Sequence, residues 1–336
     1  MKNLNFASTT ELWKTPKEIF LSAHENPDGD AVGSLLALFH FFNSMGHTVT
    51  MMVPNRFPDF LTWMPGQENI MIYAESKSHC DKKMNRADVL FSLDYNSPSR
   101  IGKAEQTFRS STAIKILIDH HIDPEKDFYN HCFSTVQTSS TAELVYEFMI
   151  EIDKDRVDRE IGDCIFEGMM TDTGSFSYNC NFARTFQIVS ELIEKGVDTV
   201  KINRLVYATY AEPRLRLLGF AISEKLVVNK TYNTAYIWLT RDELNRFQYK
   251  IGDTEGLVNY AMSIEGIRFA ALFTERENKI RISFRSTGNF SVNKFARSHF
   301  QGGGHKNAAG GDSFENMNKT LENFERLLTR YASELQ

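Results

Sequence analysis

The chain has 336 residues, of which 42% are hydrophobic and 24% are charged. This length exceeds that of one typical domain, so we predict two domains with a cleft between them. The 38 Lys and Arg residues against 43 Asp and Glu residues give a net charge of -5. A chain of that sign lacks the broad cationic surface that binds long duplex nucleic acid.

No segment of the sequence predicts export or membrane insertion. The first twenty residues lack the apolar core of a signal peptide, and the longest apolar stretch, residues 35–42, is too short to cross a bilayer. The four cysteines contain no CxxC pair and indicate neither a zinc site nor a disulfide framework. We therefore expect a cytoplasmic protein, and the sequence leaves open whether it forms a homodimer.

The first part of the chain alternates buried strands with helices. Apolar runs rich in Val, Ile, Leu and Phe predict strands at 18–24, 47–54, 87–95 and 115–121, with a helix at 31–45 between the first two. From Ser139 onward the pattern becomes helical, and Gly196 is placed to end the last of these helices. The pattern predicts an α/β domain with a parallel sheet over residues 1–199.

The second part has a different pattern. Residues 200–230 are predicted to form a helical connector, and residues 231–336 a smaller α+β domain. Its strands are expected at 234–239, 268–275 and 279–286, and its helices at 291–300 and 314–335. A glycine-rich stretch lies between Gln301 and Asp312 and is interpreted as a loop.

Acidic and histidine side chains recur where predicted strands end or helices begin. Taken singly, each such aspartate is more often a helix cap or a turn residue. Together at one edge of a sheet they would repel one another strongly unless cations lay among them. The segments are His24 to Asp30, which includes Asp28; Asp94; Asp119-His120-His121; and Asp172.

These side chains predict a centre of two metal ions. Oxygen donors dominate, imidazole is the only nitrogen donor, and no thiolate is present, which favours Mn²⁺ or Mg²⁺, with Co²⁺ or Fe²⁺ as alternatives, over structural zinc. Four aspartates would be neutralised by two divalent ions, which in such centres lie about 3.5–4 Å apart. Water held between two such ions is a strong nucleophile, so we expect hydrolysis of a phosphoester or phosphoanhydride.

In the same order along the chain, these motifs resemble the DHH phosphoesterase superfamily, and Gly302-Gly303-Gly304-His305 resembles its associated C-terminal domain. The short two-domain form is most similar to nanoRNase/pAp phosphatases, which degrade short oligoribonucleotides and dephosphorylate 3′-phosphoadenosine 5′-phosphate (pAp). The resemblance implies an active site in the interdomain cleft. It implies that His24, Asp28 and Asp94 hold one metal, and that Asp30, Asp94, His120 and Asp172 hold the other.

Other residues receive weaker assignments. Asp119 is expected to accept a proton from His120 or His121 and to fix its tautomer, with direct ligation as an alternative. His121 would stabilise charge on the phosphate or protonate the leaving oxygen, the alternative being packing at the sheet edge. Residues 139–143 contain a helix-capping pattern, and capping is favoured over contact with phosphate.

The second domain is expected to bind a phosphate of the substrate away from the scissile bond. Glycines let backbone N–H groups approach a phosphate, and basic side chains add donors. Arg285 is the best candidate for a bidentate grip, with Arg281 on the same strand face as a secondary one and a surface salt bridge as the alternative for both. The remaining expected substrate-binding residues are Gly303, Gly304, His305 and Lys306.

Holding two phosphates in two domains would favour short substrates over long strands. The expected partners are therefore short RNA oligonucleotides and nucleoside bisphosphates. Phe290, Phe295 and Phe300 are interpreted as core residues and not as a base-stacking platform. Three alternatives stay open: an inorganic pyrophosphatase of the same superfamily, a phosphodiesterase of linear dinucleotides such as pApA or pGpG, and a non-enzymatic nucleotide-binding regulator.

Overall fold

A computed structural model describes residues 4–336 of the chain. The chain divides into two compact units, one ending at Thr209 and the other beginning at Tyr210. This division lies within residues 200–230, the segment predicted to be a connector. In the described residues no helix has both the length and the apolar character needed to cross a membrane.

The first unit is built on a sheet of six parallel strands in the order β3-β2-β1-β4-β5-β6. The strands are β1 Glu18–Ala23, β2 Thr48–Val53, β3 Ile70–Ile72, β4 Val89–Leu93, β5 Ile114–Asp119 and β6 His131–Ser134. The strand order reverses direction between β1 and β4, the point at which open α/β sheets bind ligands beyond the carboxyl ends of their strands. The parallel α/β sheet predicted from sequence is confirmed.

The helices of the first unit are α1 Gly29–Ser44, α2 Tyr73–Arg86, α3 Glu105–Ser110, α4 Thr141–Asp153, α5 Arg159–Asp172, α6 Ala183–Glu194 and α7 Thr199–Tyr207. α1 and α4 pack on one face of the sheet and α2 on the other, whereas α5 packs on α1 and α4. Alternate residues of β4 enter different cores: Leu90 packs with Phe108, and Phe91 with Phe148. Because most of their residues are buried, β1, β2, β4 and β5 are largely apolar in sequence, which is why they could be predicted.

The second unit contains a mixed six-stranded sheet in the order β11-β12-β10-β9-β8-β7, in which only the β8–β9 pair is parallel. Its strands are β7 Leu226–Asn229, β8 Thr234–Leu239, β9 Phe269–Glu275, β10 Ile280–Ser286, β11 Gly303–Gly304 and β12 Ala308–Ser313. Its helices are α8 Glu212–Glu224, α9 Arg241–Arg246, α10 Leu257–Met262, α11 Val292–His299, α12 Met317–Arg330 and α13 Ala332–Leu335.

The glycine-rich stretch differs from its prediction as a loop. Gly303 and Gly304 form β11, which pairs antiparallel with Gly310 and Ala309 of β12. A side chain at Gly304 would lie within 2.8 Å of the Ala309 Cα, so glycine is required by the close pairing of these strands. By contrast, the interpretation of Phe290, Phe295 and Phe300 as core residues is confirmed, because all three are buried.

Candidate metal centre

The structure brings the six predicted metal ligands together in two groups at the carboxyl edge of the parallel sheet. Within each group the potential ligand atoms lie within 4.8 Å of one another. His24 directly follows β1 and Asp94 directly follows β4, so the reversal of strand order places them side by side. The first group is His24, Asp28 and Asp94; the second is Asp30, His120 and Asp172, with Asp94 alongside.

Asp94 lies between the two groups and turns one carboxylate oxygen toward each. Its Oδ2 is 3.3 Å from Nε2 of His24, and its Oδ1 is 3.4 Å from Nε2 of His120. The distance from His24 Nε2 to Asp28 Oδ1 is 3.9 Å, within the first group. In the second group, His120 Nε2 is 3.7 Å from an oxygen of Asp30 and 3.7 Å from an oxygen of Asp172.

Close packing of α1 against α5 places the aspartates of these two helices together. A Cβ atom on Gly33 of α1 would lie 2.5 Å from the carbonyl oxygen of Cys164 in α5, and one on Gly168 of α5 would lie 3.2 Å from the Asp30 Cα in α1. Only glycine permits this backbone approach. As a result Asp30, in the first turn of α1, faces the same pocket as the last residue of α5, Asp172.

The N-terminus of α4 supports the carboxylates from the other side. The backbone N–H groups of Thr141 and Ala142 each donate a hydrogen bond of 2.7 Å to a different oxygen of Asp30. The Thr141 hydroxyl donates to Oδ1 of Asp94 at 2.9 Å. Ser140 caps the helix by accepting from the Glu143 N–H, so the capping prediction is confirmed, but the contacts to the aspartates were not foreseen.

Burial and mutual repulsion perturb the acid–base properties of the centre. Burial, together with the charges of Asp94 and Asp172, raises the pKa of Asp30 well above its usual value. Burial likewise raises the pKa of Asp172 to about 6, because the charge of His120 only partly offsets burial and the charge of Asp94. Burial works against ionisation of Asp94 too, yet hydrogen bonds from His120 and His24 hold its pKa well below the usual range.

The two imidazoles respond to the same carboxylates. Burial lowers the pKa of His24 and of His120, but neighbouring aspartates outweigh burial, so the pKa of His24 is raised and that of His120 is raised strongly. Protons thus bind where divalent cations would also be favourable. Carboxylate oxygens and imidazole nitrogens without thiolates suit Mn²⁺ or Mg²⁺, so the residues present fit a pair of such ions.

His121 lies beside this cluster and is oriented by Asp119. Its Nδ1 is 2.7 Å from Oδ1 of Asp119, which is fully buried, and 3.8 Å from Oδ1 of Asp94. Of the two proton donors considered for Asp119 from sequence, the structure pairs it with His121. The Oδ2 atom of Asp119 is buried and accepts no hydrogen bond from any described residue.

The substrate-binding residues predicted in the second unit lie on β10, on β11 and in the turn after β11, and β12 lies between these two strands in the sheet. Arg285 and Arg281 share one face of β10, and the Arg285 Nη1 donates to the Phe284 carbonyl oxygen at 3.0 Å. The alternative of a salt bridge holds for Arg281, which lies 3.7 Å from Asp312. Gly304 ends β11, and its carbonyl oxygen accepts a hydrogen bond from the Asn293 side chain.

His305 and Lys306 follow directly in the turn between β11 and β12. The His305 N–H donates to the Ala308 carbonyl oxygen at 2.7 Å, which closes this turn. The Lys306 ammonium donates to the Asn289 side chain at 3.3 Å. The predicted residues of this unit therefore lie near one another along β10, β11 and the turn that follows it.

Comparison with known proteins identifies both units. The model of the DHH family N-terminal domain matches residues 18–169, and the DHHA1 domain model matches residues 231–335. A crystal structure of an exopolyphosphatase-related protein from Bacteroides fragilis is 41% identical, with a TM-score of 0.94, and covers 100% of this chain and 99% of that one.

More distant relatives agree with this result. The bifunctional oligoribonuclease and PAP phosphatase NrnA of Bacillus subtilis is 26% identical over 92% of this chain and 94% of its own length. RecJ of Thermus thermophilus, solved in complex with Mn²⁺, is 13% identical with a TM-score of 0.53, covering 98% of this chain and 54% of RecJ, and shares the fold. The chain belongs to the DHH family, with a DHHA1 domain following its DHH domain.

Proposed function

We propose that this protein is a metal-dependent phosphoesterase that hydrolyses short oligoribonucleotides and pAp. The observation that carries the proposal is the position of Asp94, whose two oxygens face two separate groups of carboxylate and imidazole ligands. A single carboxylate shared between two ligand groups is an arrangement well suited to a two-metal hydrolase. We further propose that the enzyme acts in the cytoplasm, where its expected substrates arise.

The proposed metal ligands follow the two groups. His24, Asp28 and Asp94 would hold one ion, and Asp30, Asp94, His120 and Asp172 would hold the other. When bound, two divalent ions would supply Lewis-acid stabilisation of the phosphate and a water of lowered pKa. We favour Mn²⁺, with Mg²⁺ or Co²⁺ as alternatives.

His121 and Asp119 have a separate role in this proposal. Asp119 accepts the Nδ1 proton of His121 and thereby fixes the ring tautomer, which directs Nε2 as the ring atom for contact with substrate. From there His121 would stabilise charge on the scissile phosphate or donate a proton to the leaving oxygen. The hydrogen bond to the buried Asp119 carboxylate restrains the orientation of the imidazole.

The second unit would recognise a further phosphate of the substrate. Arg285 offers a planar guanidinium on the partly exposed face of β10, and Gly303 and Gly304 carry no side chains that would obstruct a phosphate. His305 and Lys306 add donors in the adjoining turn. Binding one phosphate here and hydrolysing another at the metal centre would select substrates only a few nucleotides long.

The names of the relatives support this choice and define the competing substrates. The Bacillus subtilis relative is named an oligoribonuclease and PAP phosphatase. The Bacteroides fragilis protein, which is more similar in sequence, is titled exopolyphosphatase-related. Polyphosphate therefore joins pyrophosphate and the linear dinucleotides pApA and pGpG as substrates against which the proposal is to be tested.

The test is a comparison of initial rates on these substrates with the purified chain and Mn²⁺. We expect turnover of dinucleotides, trinucleotides and pAp, with slower cleavage of a 24-nucleotide RNA and little release of phosphate from pyrophosphate or polyphosphate. Inactivity on both pAp and oligoribonucleotides would overturn the proposal. Faster hydrolysis of pyrophosphate or polyphosphate would replace it with a phosphoanhydride hydrolase.

A further inference from the structure

One residue outside the ligand groups contacts two of their carboxylates at once. Thr141, the first residue of α4, donates its backbone N–H to Oδ2 of Asp30 at 2.7 Å and its hydroxyl to Oδ1 of Asp94 at 2.9 Å. Its side chain is fully buried. Asp30 and Asp94 come from different elements of the first unit, so this contact fixes one carboxylate relative to the other.

The remaining oxygen of Asp30 is held by the same helix. The Ala142 N–H donates to Oδ1 of Asp30 at 2.7 Å. The first N–H groups of a helix have no partner within the helix and carry partial positive charge, so a carboxylate is well placed there. Both oxygens of Asp30 are thus oriented by α4, whereas Asp94 depends on the Thr141 hydroxyl alone for its contact with this helix.

The start of α4 is itself firmly fixed, as a positioning element must be. Glu143 is fully buried, and its Oε2 accepts hydrogen bonds from the Ser139 N–H at 3.2 Å, the Ser139 hydroxyl at 2.6 Å and the Thr185 hydroxyl at 2.6 Å. Ser140 accepts from the Glu143 N–H at 3.1 Å. These bonds tie the first turn of α4 to α6, which bears Thr185.

The orientation of the Asp94 carboxylate determines which ligand group each of its two oxygens faces. Rotation about the bond to its carboxylate would turn both oxygens away from the two groups that they now face. A hydroxyl bond to Oδ1 opposes that rotation. Threonine suits this task because its β-branched side chain has few rotamers and holds its hydroxyl in place.

We infer that Thr141 is a positioning residue of the metal centre, whose hydroxyl fixes the Asp94 carboxylate so that Oδ1 serves the group of Asp30, His120 and Asp172. The inference rests on the proposed function only in taking these side chains as metal ligands. It concerns one of the two ions more than the other, because the hydroxyl contacts the oxygen on that side. Loss of the hydroxyl should therefore weaken one ion selectively.

The experiment compares three variants of the full chain: Thr141→Val, Thr141→Ser and Thr138→Val. Valine removes the Thr141 hydroxyl while keeping its shape, and serine restores it. Thr138 is the matched control, since its buried hydroxyl bonds to the Ser140 carbonyl oxygen in the same segment and contacts no aspartate of the centre in the described residues. Mn²⁺ binding is titrated by electron paramagnetic resonance, which counts the ions and gives the affinity of each.

We expect two Mn²⁺ sites in the wild-type chain, and in Thr141→Val a loss of affinity of about 10- to 100-fold at one of them. Thr141→Ser should stay within about 3-fold of wild type, as should Thr138→Val. Equal binding by the Val and Ser variants at 141, or an equal loss in Thr138→Val, would overturn the inference. Because the experiment measures metal binding, its result does not depend on whether the protein hydrolyses oligoribonucleotides and pAp.

Discussion

Asp94 adopts a backbone conformation that few residues tolerate, with φ at 62°. Aspartate and asparagine enter this left-handed region more readily than most residues because their short polar side chains interact locally. The conformation follows directly on β4 and turns the carboxylate across the sheet edge, where its two oxygens meet His24 and His120. The left-handed backbone conformation of Asp94 therefore places its carboxylate between the two ligand groups.

We predict that Asp94→Asn abolishes turnover and removes a metal site. Asparagine keeps the size of the side chain and tolerates the same φ, so the backbone should be preserved while one charged oxygen is lost. The rate on pAp is expected to fall by more than about 100-fold, since ligand loss should exceed the effect of losing an outer hydrogen bond. Kinetics and elemental analysis of bound Mn²⁺ measure both effects.

Asp88→Asn is the control for this prediction, because it makes the same change of charge just before β4 begins, at the other end of that strand. Asp88 is exposed and accepts a hydrogen bond from the Glu18 N–H at 2.9 Å, far from the carboxyl edge. It should retain full activity and both ions. If Asp94→Asn kept most of its activity, the shared ligand would have been assigned to the wrong residue.

At the scale of elements, the centre depends on how closely α1 and α5 approach. α1 packs against β1 and β2, α5 packs against α1, and glycines remove the side chains that would separate the two helices. Gly33 lies one turn after Gly29 on the face of α1 that meets α5, so the contact runs along the helix. Any residue with a Cβ there must push apart the two backbones that carry Asp30 and Asp172.

We predict that Gly33→Ala lowers the free energy of unfolding by about 1–3 kcal/mol, the usual cost of overpacking a core. Its Cβ would lie 2.5 Å from the Cys164 carbonyl oxygen, a backbone atom that cannot rotate aside. Gly219→Ala is the matched control, because that glycine is within α8 and a Cβ there meets nothing within 4 Å. The control should raise stability by about 0.4–1 kcal/mol.

Chemical denaturation followed by circular dichroism measures both changes, and Mn²⁺ titration reports whether the displaced helices still align the ligands. We expect weaker Mn²⁺ binding in Gly33→Ala and unchanged binding in Gly219→Ala. A stable Gly33→Ala variant with full affinity would show that the helix contact does not position Asp30 and Asp172.

The sequence predicted elements that are buried on both faces and missed those that are short or shaped by pairing. β1, β2, β4 and β5 are mostly apolar, with isolated polar residues such as Ser22, Thr50 and Lys115, whereas β3 has only three residues and β6 includes His131. Gly303 and Gly304 lack β propensity and form a strand only because β12 pairs with them. The conformation of these glycines is set by pairing with β12, and this pairing cannot be predicted from the local sequence.

The candidate metal ligands could be predicted from sequence, whereas the contacts of Thr141 with the aspartates could not. His24, Asp94 and His120 directly follow strands, so the topology of a parallel sheet brings them to one edge. The Thr141 contact with Asp30 spans 111 positions and depends on where α4 docks. The segment that contains Thr141 has the sequence of an ordinary helix cap, and the structure shows that it caps α4. Its contacts with the aspartates arise in addition, from the packing of α4 against the metal centre.

At the scale of the whole molecule, the metal centre concentrates negative charge inside a protein that is acidic overall, with a net charge of -5. Without metal, two of its carboxylates, Asp30 and Asp172, and its imidazoles, His24 and His120, retain protons more strongly than they would in the unfolded chain. Folding and proton binding are therefore linked, and divalent ions compete with protons for the same atoms.

The sign of this linkage follows from the direction of each shift. The raised pKa of Asp172, about 6, gives stability that is present at low pH and is lost as pH rises through that value. The raised pKa values of His24 and His120 act in the same direction above pH 6.5. The lowered pKa of Asp94 has the opposite effect, because it gives stability that is lost as pH falls. This loss occurs only in acid, below the usual pKa of aspartate.

We predict that the metal-free protein loses thermal stability from pH 5.5 to pH 8, and that stabilisation by Mn²⁺ grows over the same interval. Scanning calorimetry in excess chelator and in excess Mn²⁺ gives the difference in Tm at each pH. Asp172→Asn removes one titrating ligand, so this variant should show a smaller rise in that difference. A difference in Tm that is constant with pH, or greatest at pH 5.5, would mean that protons and Mn²⁺ do not compete for these side chains.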